Sequence, residues 1–182
     1  RLVSVVGPGG MGKTRFARRA SDELAARFAD GAVFVPLEDV AAPAEIGNRL
    51  ARELGIGSAG KAEPLARIVE FLRERQMLIV LDNFEHLVAD ASLLEGLMRA
   101  CPRAKFIVTS RVRLAIPGEW LLRLDGLPCP EPDDADHVEA FDAARLFVKA
   151  AQRVEPTLLP AAHAAAIVDI CRQVEGLPLA LE

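Results

Sequence analysis

The segment Gly7–Thr14, GPGGMGKT, constrains the fold more than any other part of this chain, because it matches G-x-x-x-x-G-K-[ST] at every fixed position. The apolar, β-branched run Leu2–Val6 precedes it and predicts a buried strand, and residues 15–28 have the pattern of a helix. Glycines let such a loop turn its backbone N–H groups toward an anion, and the helix presents its positive end to the same anion. The sequence therefore predicts a phosphate-binding loop between a strand and a helix.

The residues of this loop have distinct expected roles. Lys13 is expected to reach the β- and γ-phosphates, and the hydroxyl of Thr14 is expected to coordinate Mg²⁺. A chance glycine-rich turn is the alternative, and the order of strand, loop, Lys-Thr pair and helix argues against it. The predicted nucleotide-binding residues of the motif are Gly9, Gly10, Met11, Gly12, Lys13, Thr14 and Arg15.

A second apolar run, 77–81, ends in Asp82. A phosphate loop needs a partner that holds Mg²⁺ through water, and a carboxylate at the end of a buried strand is the usual one. The alternative is a strand-end carboxylate without a role. We predict that Mg²⁺ is held by Thr14 and Asp82.

The residues after Asp82 bear on catalysis. Asn83 stands where many hydrolytic P-loop proteins carry a second acid, and an amide cannot accept a proton usefully near neutral pH. Glu85 would substitute if the turn brings it inward, whereas the alternative is an acid stabilised by the dipole of a helix N-terminus. Nucleotide binding is therefore better supported than rapid turnover.

Residues 106–111, FIVTSR, predict a buried strand that ends in Thr109, Ser110 and Arg111. The carboxyl ends of parallel strands line one crevice of a sheet, so these side chains should share an edge with the phosphate loop and Asp82. Arg111 is then a candidate sensor of the γ-phosphate, and a surface arginine at a strand exit is the alternative. The candidate catalytic side chains are Lys13, Asp82, Arg111 and Glu85.

Residues 1–126 alternate apolar runs with amphipathic stretches, which is typical of an α/β domain. The predicted strands are Leu2–Val6, Ala32–Pro36, Met77–Leu81, Lys105–Thr109 and Trp120–Leu124. The predicted helices are Lys13–Phe28, Ala44–Leu54, Pro64–Arg75 and Leu87–Ala100. Three glycines and a serine predict a flexible loop over Gly55–Lys61.

The remainder of the chain has a different pattern. Residues 127–139 are predicted to form a linker, because three prolines and three aspartates between 127 and 136 forbid a regular core element. Residues 140–182 are predicted to form a small, truncated helical subdomain with helices over Ala140–Ala151 and Pro160–Val174. The segment Gly176–Ala180, GLPLA, ends one helix and starts the next, and the physics of glycine and proline alone favours that simple role.

Composition limits the classes of partner. The 182 residues carry 22 basic and 26 acidic side chains, a net charge of −4, so no basic surface for nucleic acid is expected in this segment. No apolar run approaches the ~20 residues of a membrane span. The three cysteines are far apart and lack zinc spacing, so free thiols in a reducing cytoplasm are the simplest interpretation. The chain begins inside a strand and stops where a helix starts, which suggests a piece of a longer protein.

Taken in order, four of these elements resemble the signal-transducing P-loop ATPases of the NB-ARC and STAND type. They are Gly7–Thr14 as Walker A, Leu78–Asp82 as Walker B, Thr109–Arg111 as the sensor-1 motif and Gly176–Ala180 as the G-L-P-L-A motif. Residues 81–86 and 117–120, LDNFEH and PGEW, are more similar to the ATPase module of large bacterial transcriptional regulators of the LuxR and AfsR kind. The resemblance implies an α/β, three-layer P-loop NTPase sandwich with a parallel sheet of order 5-1-4-3-2.

The resemblance also implies a function. ADP would hold a closed, inactive form, ATP exchange would open it for oligomerisation, and Mg²⁺-dependent hydrolysis would be slow. Pro178 would lie near the nucleotide and report its state from the helical subdomain. The implied partners are an adenine nucleotide, other domains of the same chain and further copies of it. Asn83 departs from the plant-type pattern of this family and puts hydrolysis in doubt.

Two alternatives stay open at this point. One is an ordinary turnover enzyme, either a small-molecule kinase or a motor ATPase. The other is a degenerate scaffold that binds no nucleotide, against which the intact Lys13-Thr14 pair and Asp82 argue. The preference for adenine comes from the resemblance, because no guanine-reading N-K-x-D stretch is present.

Overall fold

The computed structural model describes residues 1–57 and 63–182, which form two compact units. The first unit contains Arg1–Gly7 and Lys13–Arg123, and the second contains Pro8–Gly12 and Leu124–Glu182. Of the predicted flexible loop Gly55–Lys61, residues 58–61 lie outside the described residues.

The first unit contains a five-stranded, fully parallel sheet. Its strands are β1 (Leu2–Val6), β2 (Ala32–Pro36), β3 (Leu78–Asp82), β4 (Lys105–Ser110) and β5 (Glu119–Arg123). They lie side by side in the order β2-β3-β4-β1-β5, and each neighbouring pair is parallel. The predicted P-loop NTPase fold and its strand order 5-1-4-3-2 are therefore confirmed.

The strand predictions were accurate to one residue. The observed β3 includes Asp82, which the sequence pattern placed just after the strand, because the backbone of Asp82 continues the parallel register against Pro36 of β2. The strands β3 and β4 are buried along nearly their whole length. Continuous burial of this kind is what a central parallel strand requires, since both faces of the sheet are covered.

The helices of the first unit are α1 (Lys13–Leu24), α2 (Pro43–Glu53), α3 (Pro64–Leu72) and α4 (Ser92–Ala100). On α3, Ile68 and Leu72 are buried and belong to the hydrophobic core. The prediction of one helix over Leu87–Ala100 was wrong, because residues 85–90 form a 3₁₀ helix in which the N–H of Leu87 bonds to the carbonyl of Phe84. An apolar spacing of three residues fits both helix types, so the sequence pattern did not separate them.

Phe84 anchors the chain where it leaves β3. Its side chain is fully buried, and its N–H donates to the carbonyl of Thr109 on the neighbouring strand, at 2.9 Å. The turn that follows Asp82 is thereby tied to the end of β4.

The second unit is mainly helical. It contains α5 (Asp142–Val154), α6 (Ala164–Gln173) and the four-residue α7 (Pro178–Leu181). Three residues of α6 are buried: Ile167, Val168 and Cys171. The buried residues of this unit form their own core: Val138, Ala143, Ala144, Val148, Ile167, Val168, Cys171 and Leu181.

The expectation of an irregular segment through residue 136 was wrong from Pro132 onward. Pro132–Ala140 forms 3₁₀ turns, and Val138 within it is buried. Proline is tolerated at the first helical position, and Glu131 with Asp134 forms a reciprocal capping box, so this composition is compatible with a short helix after all.

Cys101, Cys129 and Cys171 are all free, as the sequence predicted. None of the described helices combines the length and the apolar character needed to cross a membrane.

Truncation of Phe84 should destabilise the first unit. Phe84→Ala is expected to lower the free energy of unfolding by about 3–5 kcal/mol, because it removes a fully buried aromatic ring and leaves a cavity. Urea unfolding of the whole chain measures the change. Val112→Ala, at a side chain that is 53% exposed, is the control and should stay within about 0.5 kcal/mol. Similar losses in both variants would contradict the anchoring role of Phe84.

Candidate nucleotide-binding site

Three strands of the first unit carry candidate residues to one edge of the sheet. Parallel pairing sets Val6 of β1 beside Ser110 of β4, and Leu81 of β3 beside Val108 of β4. The residues that follow these positions are Gly7, Asp82 and Thr109, so the carboxyl ends of the strands meet. This edge is where ligands of open parallel sheets bind.

Asp82 is the central acid of this edge and is only 4% exposed. Its Oδ1 accepts a hydrogen bond from the Thr14 hydroxyl at 3.0 Å. Two hard oxygen ligands, a hydroxyl and a carboxylate, are thereby held together at the start of α1, which is the donor chemistry that Mg²⁺ prefers. The described residues contain no cluster of three or more metal-binding side chains, so phosphate oxygens and water would supply the other ligands.

Thr109 holds Asp82 from the other side. Its hydroxyl donates to Asp82 Oδ1 at 2.6 Å and accepts the backbone N–H of Asn83 at 2.9 Å. The sequence identified Thr109 as a polar strand end and as part of the sensor-1 motif, but it did not predict these contacts with Asp82 and Asn83. The available signal was the hydroxyl at the end of the strand that pairs with the Asp82 strand.

Asn83 has a conformational explanation. Its φ is +69°, in the left-handed region that asparagine tolerates better than most residues. The backbone reverses there so that Phe84 enters the core. The residue that the sequence treated as a missing acid thus has a role in shaping the turn.

Lys13 begins α1, and its Nζ donates to the carbonyl of Gly7 at 2.9 Å. Partial burial is the main cause that lowers the pKa of Lys13 from its ordinary value of 10.5, while Glu85 and Asp82 act in the opposite direction. Arg111 adds to the lowering. The charges of Glu85, Arg111 and Asp82 are therefore all within reach of the lysine ammonium group.

Glu85 and Arg111 are paired with each other. The Nε–H of Arg111 donates to Glu85 Oε1 at 2.9 Å. The Glu85 side chain is 17% exposed, whereas that of Arg111 is 65% exposed. Glu85 lies at the start of the 3₁₀ helix, as the helix-terminus interpretation required, and its carboxylate is turned toward Arg111.

The loop Pro8–Gly12 belongs to the second unit, where it contacts α7. The carbonyl of Gly10 accepts the N–H of Leu179 at 3.3 Å. Gly10 has φ +80°, and a Cβ on it would come within 2.8 Å of the Leu179 Cβ. Pro178 begins α7 and is half-buried. Its neighbour Leu179 makes the contact with the loop.

Gly176 is required for two reasons. Its φ is +65° beyond the end of α6, where its N–H donates to the carbonyl of Cys171, and a Cβ on it would lie 2.1 Å from the carbonyl oxygen of Leu127. The N–H of Leu127 donates to the carbonyl of Gly176 at 2.8 Å. The helix-ending role of this motif glycine is thus accompanied by close backbone packing within the second unit.

The other predicted loop residues differ in exposure and backbone conformation. Gly9 is exposed, Met11 and Gly12 are half-buried, and Arg15 is exposed in the first turn of α1. Gly12 has φ +80°, in the left-handed region that favours glycine. Their contacts with nucleotide remain predictions.

Comparison with known proteins gives a family match. The model of the AAA domain family matches residues 1–114. Over the full chain, the sequence is 35% identical to a Mycobacterium tuberculosis protein assigned as an HTH-type transcriptional regulator, and 29% identical over 99% of the chain to the regulatory protein AfsR of Streptomyces griseus. The chain spans about a fifth of the length of these relatives: 20% and 18%, respectively. The predicted similarity to modules of large bacterial regulators is confirmed.

Two solved structures have the same fold. A STAND protein with a tetratricopeptide repeat sensor from Pyrococcus horikoshii aligns over 99% of this chain and 26% of its own, with a TM-score of 0.57 and 19% identity. Cdc6p from Pyrobaculum aerophilum aligns over 99% of this chain and 52% of its own, with a TM-score of 0.64 and 18% identity. At these identities the likeness concerns the fold.

Two substitutions of Thr109 should separate the contribution of its hydroxyl group to stability from that of its side-chain volume. Thr109→Val keeps the shape but removes the group that bonds Asp82 and Asn83, so the free energy of unfolding should fall by about 1–3 kcal/mol. Thr109→Ser keeps the hydroxyl and loses one methyl group, so it should lose about 0.8 kcal/mol. Urea unfolding compares them. A serine variant less stable than the valine variant would contradict the positioning role.

Substitution of Gly10 should reveal the contact with Leu179. Gly10→Ala and Gly118→Ala both place alanine at a left-handed φ, +80° and +79°, at a cost of roughly 1–2 kcal/mol. Only Gly10→Ala also displaces Leu179, since nothing lies within 4 Å of a Cβ at Gly118. We therefore expect the larger loss of stability for Gly10→Ala in urea unfolding. Equal losses would show that Leu179 does not constrain the loop.

Proposed function

The chain belongs to the AAA domain family and is a P-loop ATPase domain of the kind found in transcriptional-regulator-like proteins, and from that premise we propose that it is a nucleotide-dependent switch. ADP favours a closed form, ATP favours an open form, and hydrolysis between them is slow. Adenine is the base that the relationship to ATPase modules favours.

The hydrogen bond between Thr14 and Asp82 is the observation that carries this proposal. It joins the last residue of the phosphate-loop motif to the acid at the end of β3, at an O–O distance of 3.0 Å. Lys13, one residue earlier, is the cation for the β- and γ-phosphates. A fold that had lost its nucleotide would have no reason to keep a buried carboxylate beside these two residues, because burying an acid is costly.

Thr14 and Asp82 are the residues that would hold Mg²⁺, Thr14 directly and Asp82 through water. The ion, when bound with a nucleotide, neutralises phosphate charge. Lys13 and the N–H groups of the loop bind the phosphate oxygens, and Thr109 keeps Asp82 in position through its hydroxyl. Lys13, Thr14, Asp82 and Thr109 are already held at the carboxyl edge of the sheet.

The contact between Gly10 and Leu179 supports switching. Within the second unit, the phosphate loop is bonded to the segment that contains Pro178, so a change in the loop on binding phosphate alters that contact. A ligand shifts an equilibrium only by its difference in affinity for the two forms. ADP and ATP must therefore differ in how they affect the contact between the loop and the Pro178 segment.

Slow hydrolysis follows from the residues after Asp82. Asn83 supplies a turn in place of a second acid, and Glu85, the nearest carboxylate that could act as a base, is engaged with Arg111. The net charge of −4 favours no direct contact with nucleic acid. The partners we propose are other domains of a longer cytoplasmic regulator and, in the ATP state, further copies of the chain.

Thermal unfolding with nucleotides tests the proposal. ADP with Mg²⁺, at a hundred times its dissociation constant, should stabilise the chain by about 2.7 kcal/mol, which raises Tm by roughly 5–10 °C. ATP at the same concentration should give a smaller shift than ADP, and GTP at that concentration should give only a small one. Lys13→Ala should abolish it, whereas Lys105→Ala, at the opposite end of the sheet, should retain it. Removal of Mg²⁺ with EDTA should reduce the shift.

Phosphate release in the same samples separates the alternatives. A shift with ATP accompanied by several turnovers per second would favour an ordinary turnover enzyme, a small-molecule kinase or a motor ATPase. No shift with any nucleotide would contradict the proposed switch for this chain.

A further inference from the structure

The ion pair between Arg111 and Glu85 is unequally exposed. Arg111 is largely in solvent, while Glu85 is mostly buried, and their Nε–Oε1 distance is 2.9 Å. A solvent-exposed guanidinium loses little when it exchanges one anionic partner for another, because the pair is weakened by water. The arginine is therefore the partner that can leave.

Glu85 is the fixed partner. It follows Phe84, whose buried ring and N–H bond to Thr109 fix the backbone, and the next residue, His86, has its Nε2 2.8 Å from the carbonyl oxygen of Val40. Its second carboxylate oxygen, Oε2, is buried and has no hydrogen-bond partner among the described residues. The other oxygen, Oε1, accepts the hydrogen bond from Arg111.

The pair lies at the same carboxyl edge of the sheet as Lys13, the lysine assigned to the β- and γ-phosphates. Arg111 directly follows β4, whose last residue pairs with the last residue of β1, and the residue after β1, Gly7, accepts a hydrogen bond from the Lys13 ammonium group. A terminal phosphate bound by Lys13 would bring an anion toward the guanidinium that Glu85 now holds. The phosphate and the carboxylate would then compete for one arginine.

We propose that Glu85 sets the preference between nucleoside triphosphate and diphosphate by competing with the terminal phosphate for Arg111. In the absence of that phosphate, Arg111 is bonded to Glu85. Binding of a triphosphate transfers Arg111 to the terminal phosphate and breaks the ion pair, so part of the gain from the new contact is offset. A diphosphate leaves the pair intact. This inference rests on the proposed nucleotide-binding function and assigns a specificity-determining role to Glu85.

Simple charge repulsion between Glu85 and the phosphates makes a different prediction. Repulsion would also weaken triphosphate binding, but Arg111 partly neutralises Glu85, so the effect would grow when Arg111 is removed. Competition requires Arg111 and disappears without it. The sign of the coupling between the two residues therefore decides between the two explanations.

A double-mutant cycle on nucleotide affinity tests the proposal. The dissociation constants of Mg²⁺ with ADP, and of Mg²⁺ with the β,γ-imido analogue of ATP, are measured by calorimetry for the whole chain and for E85Q, R111Q and E85Q/R111Q. We expect E85Q to tighten binding of the triphosphate analogue by about fivefold and to change ADP binding by less than twofold. In the R111Q background, E85Q should change triphosphate affinity by less than twofold.

Two controls complete the cycle. Arg113→Gln removes the same charge from an exposed position of the same loop and should leave the effect of E85Q unchanged. Circular dichroism and urea midpoints establish that each variant is folded, and E85Q is close to isosteric. Equal effects of E85Q on both nucleotides, or an equal or larger effect in the R111Q background, would overturn the proposal while nucleotide binding stands. Absence of any binding by the unmodified chain would overturn this proposal and the proposed function together.

Discussion

The buried carboxylate of Asp82 is the interaction on which the candidate site depends. A carboxylate with 4% exposure needs polar partners, and Asp82 has two hydroxyl donors on the same oxygen, from Thr14 at the start of α1 and Thr109 near the end of β4. These bonds connect three separate segments of the first unit. The position of α1, and with it Lys13, is therefore tied to the end of β3 through one side chain.

Backbone conformation supports this arrangement. Asn83 reverses the chain at φ +69° directly after Asp82, and its N–H is satisfied by the hydroxyl that also holds the aspartate. Thr109 consequently fixes both a side chain and a turn, and its carbonyl adds a third bond, to Phe84. Left-handed residues persist where the surroundings determine them, and such positions cluster at functional sites. The turn therefore sets where Glu85 lies relative to Lys13.

Sequence alone was sufficient wherever local spacing determines structure. The strand, loop and helix around Gly7–Thr14 were predictable because they are consecutive in the sequence. The position of Asp82 at a strand end was predictable from the apolar run before it. The pairing of Arg111 with Glu85 was not predictable, because it depends on how two loops from different strands approach each other. The two hydrogen bonds of the Thr109 hydroxyl, to Asp82 and Asn83, were not predicted for the same reason. The break at Ala91, between the 3₁₀ helix and α4, and the 3₁₀ turns of Pro132–Ala140 were not predicted. Apolar spacing and proline content do not define helix type.

The contacts assigned to nucleotide sensing differ physically from those that build the site. The bonds to Asp82 end on a carboxylate that is 4% exposed, whereas Arg111 is 65% exposed and Leu179, in the second unit, is 67% exposed and bonded to Gly10 at a long 3.3 Å. A residue can exchange partners in response to one phosphate only if its existing bond is weak, because the ligand contributes a limited difference in affinity. The hydrogen bonds of Asp82 are therefore strong, and the contacts of Arg111 and Gly10 are weak. The proposed nucleotide switch requires this combination. A motor or kinase has no such need to hold its candidate base in an ion pair, so the Glu85–Arg111 bond favours the switch over rapid turnover.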